Sequence, residues 1–224
     1  MKKIIILSVT GTLVFLIYFY FVSDGNVYSS TFIPENKITH PVSDIHKIKE
    51  GDIIFQASIS GQSKAIQLAT GSTYSHCGIL FKNSGKYYVF EAIQPVKFTE
   101  LEKWIARGEN GEYVIKRLKN SQELLTSEVL KKMKEEGLKF KGKNYDLVFG
   151  WSDKKIYCSE LVWKIYKRGA NIELSKLKNL GDLDLESSEV QKKLRERYGD
   201  KIPMDEKIVS PADIFESDLL FTVK

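Results

Sequence analysis

The feature of this sequence that most constrains its fold is an uncharged segment at the amino terminus. Residues 4–22 (IIILSVTGTLVFLIYFYFV) carry no charged side chain, and Lys2 and Lys3 precede them. As a helix, these 19 residues would rise about 28 Å, close to the hydrocarbon thickness of a bilayer. A helix buried in a soluble core would show a polar face, which this segment lacks. Residues 1–22 are therefore predicted to be a signal peptide or a membrane anchor.

The residues around this segment predict its orientation and its fate. The two lysines before it favour an amino terminus on the cytoplasmic side, so the remainder would lie outside the cytoplasm, in the cell envelope or secreted. The segment ends in the bulky residues 18–21 (YFYF), whereas a signal peptide has a shorter apolar stretch and small residues before its cleavage site. This favours an uncleaved anchor over a cleaved signal peptide. No cysteine follows the segment directly, which excludes a lipoprotein anchor.

The rest of the chain is predicted to be a tether and one domain. Residues 23–45 are polar and rich in turn-forming residues, which is typical of a tether. From residue 46 to residue 224, strands and helices follow one another without a clear linker. Strands are concentrated in the middle of this region and helices lie around them, so the predicted fold class is α+β. Residues 173–207 are strongly charged and could form a lid near the site, although a solvated surface helix is the simpler alternative.

Turn and capping signals locate the elements of this domain. Thr99 is placed to cap a helix that begins at Leu101, and Ser210-Pro211 has the cap and first-turn proline of a helix start. Strands are predicted at 52–55, 75–82, 86–93 and 112–118, and helices at 63–70, 101–107, 121–136 and 157–167.

The composition excludes several classes of function. The chain has 34 basic and 29 acidic side chains, and the two signs are interleaved, as in KKMKEEGLKFKGK. A nucleic-acid-binding protein has a basic face or a recognisable motif, so we expect no nucleic-acid partner. The two cysteines and three histidines are too few for a disulfide framework and lack the spacing of a zinc site. We therefore expect no metal and no cofactor, and His40 and His46 receive no role.

A predicted hairpin brings a histidine and a carboxylate together. Its strands, 75–82 and 86–93, flank the turn signal NSG. If the loop has two or four residues, the numbers of paired residues sum to 169, so that Glu91 lies opposite Gly78 and His76 lies diagonal to Glu91 on the same face. A carboxylate beside a histidine raises its pKa and fixes its tautomer. The alternative is a half-buried hairpin whose polar residues face water.

The two cysteines have different predicted environments. Cys158 stands near the start of the predicted 157–167 helix, where the helix dipole and free N–H groups favour a thiolate, although it also shares the buried stripe of that helix. It could therefore be a nucleophile or a small core residue. Cys77 lies on the strand face opposite His76 and is most simply structural. A disulfide between Cys77 and Cys158 would exclude the nucleophile in the same molecule.

The combined motifs resemble a known family. The sequence is similar to the circularly permuted papain-like cysteine hydrolases of the YaeF/YiiX type, relatives of NlpC-type cell-wall peptidases, in the order of a histidine strand followed by a cysteine helix. The resemblance covers roughly residues 46–170, and the segments that carry it are GDIIF at 51–55, YSHCGILF at 74–81, FEAI at 90–93, GKNYD at 142–146 and YCSELVWKIY at 157–166. It implies a permuted papain-like fold, with a central antiparallel sheet packed with helices.

The resemblance also implies the chemistry of the site. Cys158 would be the nucleophile, His76 the general base and Glu91 the residue that orients the histidine, in an acyl-enzyme mechanism that cleaves an amide bond. The substrate would be a cell-wall peptide, or alternatively a lipid ester or N-acyl group cleaved by the same thiol. A binding module with a structural Cys158 is the third possibility. Substrate contacts are expected from Tyr74, Ser75 and Tyr157, whereas Tyr145 could line the cleft or simply pack, and packing is the favoured alternative. The oligomeric state is not predicted.

Overall fold

The structure is a computed structural model and describes residues 47–223. The predicted anchor, residues 1–22, and the predicted tether, residues 23–45, lie outside the described residues. Within the described range, no helix is long and apolar enough to cross a membrane. The strands are β1 (Ile53–Gln56), β2 (His76–Asn83), β3 (Lys86–Glu91), β4 (Lys97–Glu100), β5 (Val114–Leu118), β6 (Lys178–Asn179), β7 (Lys207–Ile208) and β8 (Leu220–Thr222). The α-helices are α1 (Ser63–Thr70), α2 (Leu101–Ala106), α3 (Ser121–Leu124), α4 (Ser127–Leu138), α5 (Cys158–Ile165), α6 (Ser188–Tyr198) and α7 (Pro211–Phe215).

Six of these strands form one antiparallel sheet. Their order is β4-β3-β2-β1-β5-β8, and each neighbouring pair is antiparallel. The strands β6 and β7 form a separate two-stranded ribbon, in which Lys178 lies opposite Ile208 and Asn179 opposite Lys207. The predicted combination of a central antiparallel sheet with surrounding helices is therefore confirmed.

The β2–β3 hairpin has the register that the sequence predicts. Its loop consists of Ser84 and Gly85, both with positive φ (47° and 84°), as a tight two-residue turn between twisted strands requires. The pairs run from Ile79 opposite Phe90 to Asn83 opposite Lys86, so the paired numbers sum to 169. This register places His76 and Glu91 on the same face of the sheet.

Both faces of the sheet are buried. On one face, Ile79 and Phe81 of β2 pack with Leu161 and Ile165 of α5. On the other face, Leu80 packs with a smaller apolar cluster around Trp104. Because successive side chains of a strand point to opposite faces, β2 contributes to both clusters and is fixed between them.

Several predicted boundaries differ from those observed. Thr99 does not cap α2: it belongs to β4, and its hydroxyl donates to Glu91 instead. The predicted 121–136 helix is two helices, the second of which is capped by Thr126 and continues through Gly137. Gly137 is needed for close packing, since a Cβ there would lie 3.0 Å from the Phe90 ring. A pattern read from local capping signals misses such tertiary contacts.

Residues 173–207 pack onto the domain as a covering segment. Their apolar side chains Leu180, Val190 and Leu194 form a cluster that contacts α1. The cluster is held by backbone bonds as well, including one from the Asp184 N–H to the Ala69 carbonyl at 3.0 Å. Of the two predicted alternatives, the structure favours a covering segment over a solvated surface helix, and we call residues 173–207 the covering segment below.

Candidate active site

Cys158 is the first residue of helix α5. Tyr157 before it is extended (φ −105°, ψ 170°), so the helix begins at the thiol. The Tyr157 N–H donates to Glu160 Oε2 at 3.4 Å, so a side chain of the first turn caps the amino terminus of the helix. Cys158 is 2% exposed. It therefore lies where the helix dipole and the unpaired N–H groups of the first turn stabilise a negative charge.

His76 and Glu91 are in direct contact. The distance between His76 Nε2 and Glu91 Oε2 is 2.6 Å, and both side chains are buried. This contact occupies one ring nitrogen of His76 and leaves the other, Nδ1, for the hydrogen bond with Cys158. Gly78 lies on β2, two residues after His76, and faces β3. A Cβ at Gly78 would stand 2.4 Å from Val89 Cγ1 and 3.4 Å from Glu91 Cβ. The glycine therefore permits the close approach of the two strands at this position.

Three further donors surround the Glu91 carboxylate. Trp104 Nε1 donates to Oε2 at 2.9 Å, the Arg107 guanidinium donates to Oε2 at 2.5 Å, and the Thr99 hydroxyl donates to Oε1 at 2.6 Å. The Trp104 ring also stacks on His76, with 5.9 Å between ring centroids. Burial by itself raises the pKa of Glu91, but the contact with His76 and then Arg107 and Thr99 outweigh burial and lower the pKa to about 2.

The titration of the site favours a thiolate–imidazolium pair. Burial lowers the pKa of His76, but hydrogen bonds with Cys158 and Glu91 more than compensate and raise the pKa to about 9. A hydrogen bond from the Cys77 thiol, with further contributions from His76, holds the pKa of Cys158 well below its usual range despite burial. A proton is therefore held on the imidazole rather than on the sulfur, which is the state needed for nucleophilic attack.

Cys77 has a position that the sequence does not reveal. It is fully buried in the core face of the sheet, as predicted, yet it reaches the Cys158 sulfur. Burial and the neighbouring Cys158 thiolate raise the pKa of Cys77, so it remains a thiol and donates. Both cysteines are free, so the structure contains no disulfide between them.

A narrow apolar cavity opens beside Cys158. Its volume is about 80 Å³, and it lies under the covering segment. Its walls are mainly aliphatic and aromatic: Ala65, Ile66, Ala69, Phe149, Tyr157, Leu180, Leu183, Leu185, Val190, Leu194, Ile208 and Val209. Two cations, Lys193 and Arg197, also reach it.

A second, wider cavity opens beside His76. Its volume is about 340 Å³, and eight of the eleven residues that line it have polar side chains. Besides His76, the polar side chains that line it are Ser58, Ser60, Gln62, Ser75, Gln94, Arg107 and Tyr145. Tyr145 lines both cavities and accepts a hydrogen bond from Gln62 Nε2 at 3.0 Å, so of the two alternatives for Tyr145 the structure favours lining the cleft over packing alone.

The three predicted substrate contacts have different surroundings. Tyr157 lines the apolar cavity, although its hydroxyl accepts the Val209 N–H at 3.2 Å. Ser75 lines the polar cavity and accepts the Ser58 N–H at 2.9 Å. Tyr74 packs against the Phe215 ring, with centroids 4.4 Å apart, so its position gives no support to a substrate contact.

Sequence reasoning missed the donors to Glu91 and the cavity walls. Thr99, Trp104 and Arg107 belong to β4, α2 and the residue after α2, and they reach Glu91 because β4 pairs with β3. The spacing of Trp104 and Arg107, three residues apart in a short helix, puts them on one face but does not say what that face contacts. Among residues 47–223, no group of three or more His, Cys, Asp or Glu is arranged to hold a metal ion.

The comparisons with known proteins find a matching family and similar proteins. A model of the family described as "Permuted papain-like amidase enzyme, YaeF/YiiX, C92 family" matches residues 47–224. The protein YiiX of Escherichia coli strain K12 is 48% identical over 173 residues, which are 77% of this chain and 84% of the relative. A crystal structure described as metalloprotein YiiX from Escherichia coli O157:H7 superposes with a TM-score of 0.76 at 47% identity, and covers 80% of this chain and 97% of that chain.

Proposed function

This chain belongs to the family of permuted papain-like amidases of the YaeF/YiiX type, and on that basis we propose that it cleaves an amide bond through an acyl-enzyme on Cys158. His76 is the general acid and base, and Glu91 orients it. The observation that carries this assignment is the buried 2.6 Å contact between His76 Nε2 and Glu91 Oε2, with Cys158 hydrogen-bonded to the same imidazole. The three side chains form the nucleophile–base–orienting series of a covalent hydrolase.

In the first half of the reaction, the Cys158 thiolate attacks the carbonyl carbon of the substrate. The N–H groups of the first turn of α5 donate hydrogen bonds to the carbonyl oxygen and stabilise the negative charge that develops on it. The C–N bond then breaks, and the His76 imidazolium transfers its proton to the departing amine nitrogen. The product of this half is a thioester on Cys158 and a free amine.

In the second half, neutral His76 takes a proton from water while the water oxygen attacks the thioester. The C–S bond breaks and the carboxylic acid leaves. The proton taken from water stays on His76, so the site is again a thiolate–imidazolium pair. Glu91 stays ionised throughout because four donors surround it, and it stabilises the imidazolium in both halves.

The apolar cavity beside Cys158 supports a substrate with an apolar acyl group. Attack by Cys158 places the acyl carbon at the mouth of this cavity, whose walls offer few hydrogen bonds to a peptide. A lipid-derived N-acyl amide, or the related ester, is therefore the substrate that we favour. A cell-wall peptide is the second candidate, and the polar side chains around His76 are the feature that favours it.

We further propose that the enzyme acts outside the cytoplasm, held to the membrane by residues 4–22 or exported by them. The uncharged segment and the two lysines before it support this location. Expression with a carboxy-terminal reporter that is active on only one side of the membrane tests it. Reporter activity on the cytoplasmic side would overturn the proposal.

The function is tested by comparing the full-length chain with Cys158→Ala on two substrate sets, long-chain N-acyl amides and muropeptides, with products identified by mass spectrometry. We expect the wild type to release a fatty acid and an amine, and Cys158→Ala to release neither. Mass spectrometry of the stalled enzyme should find the acyl group on the Cys158 peptide. Products from muropeptides alone would support the second candidate.

Two outcomes would contradict a thiol amidase altogether. One is cleavage that persists in Cys158→Ala. The other is a native reduced protein in which Cys158 resists alkylation and no amide or ester is cleaved, which would indicate a binding module. Since Cys77 is the only other cysteine, Cys77→Ala is the control that assigns the alkylated site.

A further inference from the structure

We propose that the two cavities divide the substrate between them: the apolar cavity takes the acyl chain, and the His76 cavity takes an amine leaving group that bears an anion, which Arg107 binds. The substrate class is then an N-acyl amide whose amine portion carries a carboxylate or a phosphate. This inference rests on the proposed function and adds the chemistry of the leaving group to it.

The orientation follows from which reacting group faces each cavity. Cys158 lines the apolar cavity and His76 lines the polar one. The acyl carbon becomes bonded to sulfur, whereas the amine nitrogen must receive its proton from the imidazole. The acyl chain therefore extends from the sulfur side, and the amine portion extends over the imidazole into the polar cavity.

Arg107 determines the charge that the polar cavity accepts. It is the one Lys, Arg, Asp or Glu side chain among the described residues that line this cavity, and its side chain is 37% exposed. One guanidinium nitrogen donates to Glu91, and since a guanidinium has five N–H donors, others remain for a ligand. The carboxylate nearest to Arg107, that of Glu91, is fully buried beneath its donors and is not among the residues that line the cavity.

A cationic amine portion fits this cavity poorly. It would approach the Arg107 guanidinium and the protonated His76 ring, both of which line the cavity, whereas the Glu91 carboxylate that pairs with them is buried and does not line it. An anion would be attracted by the two cations that line the cavity. An anion bound to a guanidinium also gains charge-assisted, bidentate hydrogen bonds. The cavity therefore selects for negative charge on the departing amine.

The cations near the apolar cavity are already engaged. Lys193 pairs with Glu196 at 2.6 Å, and Arg197 donates to Gln62 Oε1 at 2.6 Å. The Arg197 guanidinium also lies over the Phe149 ring, 4.6 Å from its centroid. Arg107 is engaged too, by Glu91, but it lines the cavity of His76 whereas Lys193 and Arg197 do not, so Arg107 is the side chain placed to receive a substrate anion beside the imidazole.

The test uses two substrates that differ in one charge. N-dodecanoylglycine and N-dodecanoylglycinamide share the acyl chain and the scissile amide, but only the first carries a carboxylate. With the full-length chain in detergent, we expect a kcat/KM for the anionic substrate that is higher by roughly 10-fold or more, because only the carboxylate can form charge-assisted hydrogen bonds with Arg107. Arg107→Gln should bring this ratio close to one, and Arg107→Lys should retain part of it.

A control separates substrate binding from support of Glu91. Thr99→Val also removes a donor from Glu91, but Thr99 is not among the residues that line the polar cavity. It should lower kcat for both substrates and leave their ratio unchanged. If Arg107→Gln lowers both substrates equally and preserves the ratio, Arg107 acts only through Glu91 and the inference is overturned. Thermal melting of each variant confirms that it is folded.

The outcomes also distinguish this inference from the proposed function. Cleavage of both substrates at equal kcat/KM by the wild type, lost in Cys158→Ala, would overturn the inference while leaving the thiol amidase intact. Cleavage of neither substrate, or cleavage that does not depend on Cys158, would overturn the proposed acyl-amide function and this inference with it.

Discussion

Glu91 Oε2 lies 2.6 Å from Nε2 of His76, and the two residues are 15 positions apart on neighbouring strands of one hairpin. The register of that hairpin is set by its two-residue turn and is independent of the nucleophile. The imidazole is therefore oriented by the sheet, while Cys158 is brought to it by a helix that packs on the opposite face. The His76 ring and the Cys158 thiol are therefore positioned by different elements, the ring by the hairpin and the thiol by α5.

Removal of the Glu91 charge should change the pH dependence of catalysis. The active form needs protonated His76, which is present below its pKa of about 9 and is lost as the pH rises through that value. Glu91 contributes to raising that pKa, so Glu91→Gln should move the alkaline limb of the kcat/KM profile to lower pH. The activity should also fall by on the order of 10².

Glu100→Gln is the matched control for this measurement. Glu100 lies in the adjoining strand and pairs with the exposed Lys103, so its loss should leave the alkaline limb in place. An unchanged limb in Glu91→Gln would show that this carboxylate does not orient or stabilise the imidazolium.

Trp104→Phe should lower kcat by about tenfold with little change in KM. The variant keeps an aromatic ring over His76 but removes the N–H that donates to Glu91 at 2.9 Å. Loss of this hydrogen bond should raise the activation free energy by roughly 1–1.5 kcal/mol, because Glu91 then holds the imidazole less firmly. Trp163→Phe is the control, because that indole donates to the Ser175 carbonyl outside the two cavities. Equal effects of the two variants would mean that the loss at Trp104 reflects stability alone.

Cys77→Ala should raise the pKa of Cys158. The hydrogen bond from the Cys77 thiol is the largest contribution that lowers this pKa, while the His76 contribution remains in the variant. The rate of alkylation as a function of pH, or thiolate absorbance, measures the change. In Cys158→Ala, the remaining Cys77 should react slowly, because burial raises its pKa. Identical titration of Cys158 with and without Cys77 would contradict the contact.

Gly78→Ala should destabilise the domain by about 1–3 kcal/mol and lower its melting temperature. A Cβ at this position would stand 2.4 Å from Val89 Cγ1 and 2.9 Å from the Phe90 carbonyl oxygen, so β2 and β3 must separate beside His76. Gly61→Ala is the control, since a Cβ there meets nothing within 4 Å. Equal melting temperatures for both variants would show that the strands are not closely packed at Gly78.

Leu194→Ala should shift the acyl-chain preference toward longer or bulkier chains. Leu194 is 6% exposed and lines the apolar cavity, so truncation enlarges the space that receives the chain. The measurement is kcat/KM across N-acyl amides of increasing chain length. Leu138→Ala, at a position that is 45% exposed, should leave the preference unchanged. A shift in neither variant would place the chain elsewhere.

The local parts of the site were predictable from the sequence, because short-range rules govern them. Hairpin parity relates His76 to Glu91 through a turn of two residues, and a helix start at Cys158 follows from the apolar spacing after it. The prediction that Thr99 caps a helix rested on the same kind of short-range rule, and it was wrong. A hydroxyl two residues before a helix has a local partner available, and only the pairing of β4 with β3 offers it a better one in Glu91.

The amino-acid sequence by itself therefore determined the uncharged amino-terminal segment and predicted the hairpin register for a two-residue loop, and it singled out Cys158 and His76 as the candidate thiol and imidazole. The tertiary structure alone decided which donors surround Glu91, that Cys77 reaches Cys158, and that the covering segment makes an apolar wall beside the thiol. Turns and helix starts depend on neighbours within a few residues. Cavity walls and buried donors are assembled from distant segments whose packing no local pattern records.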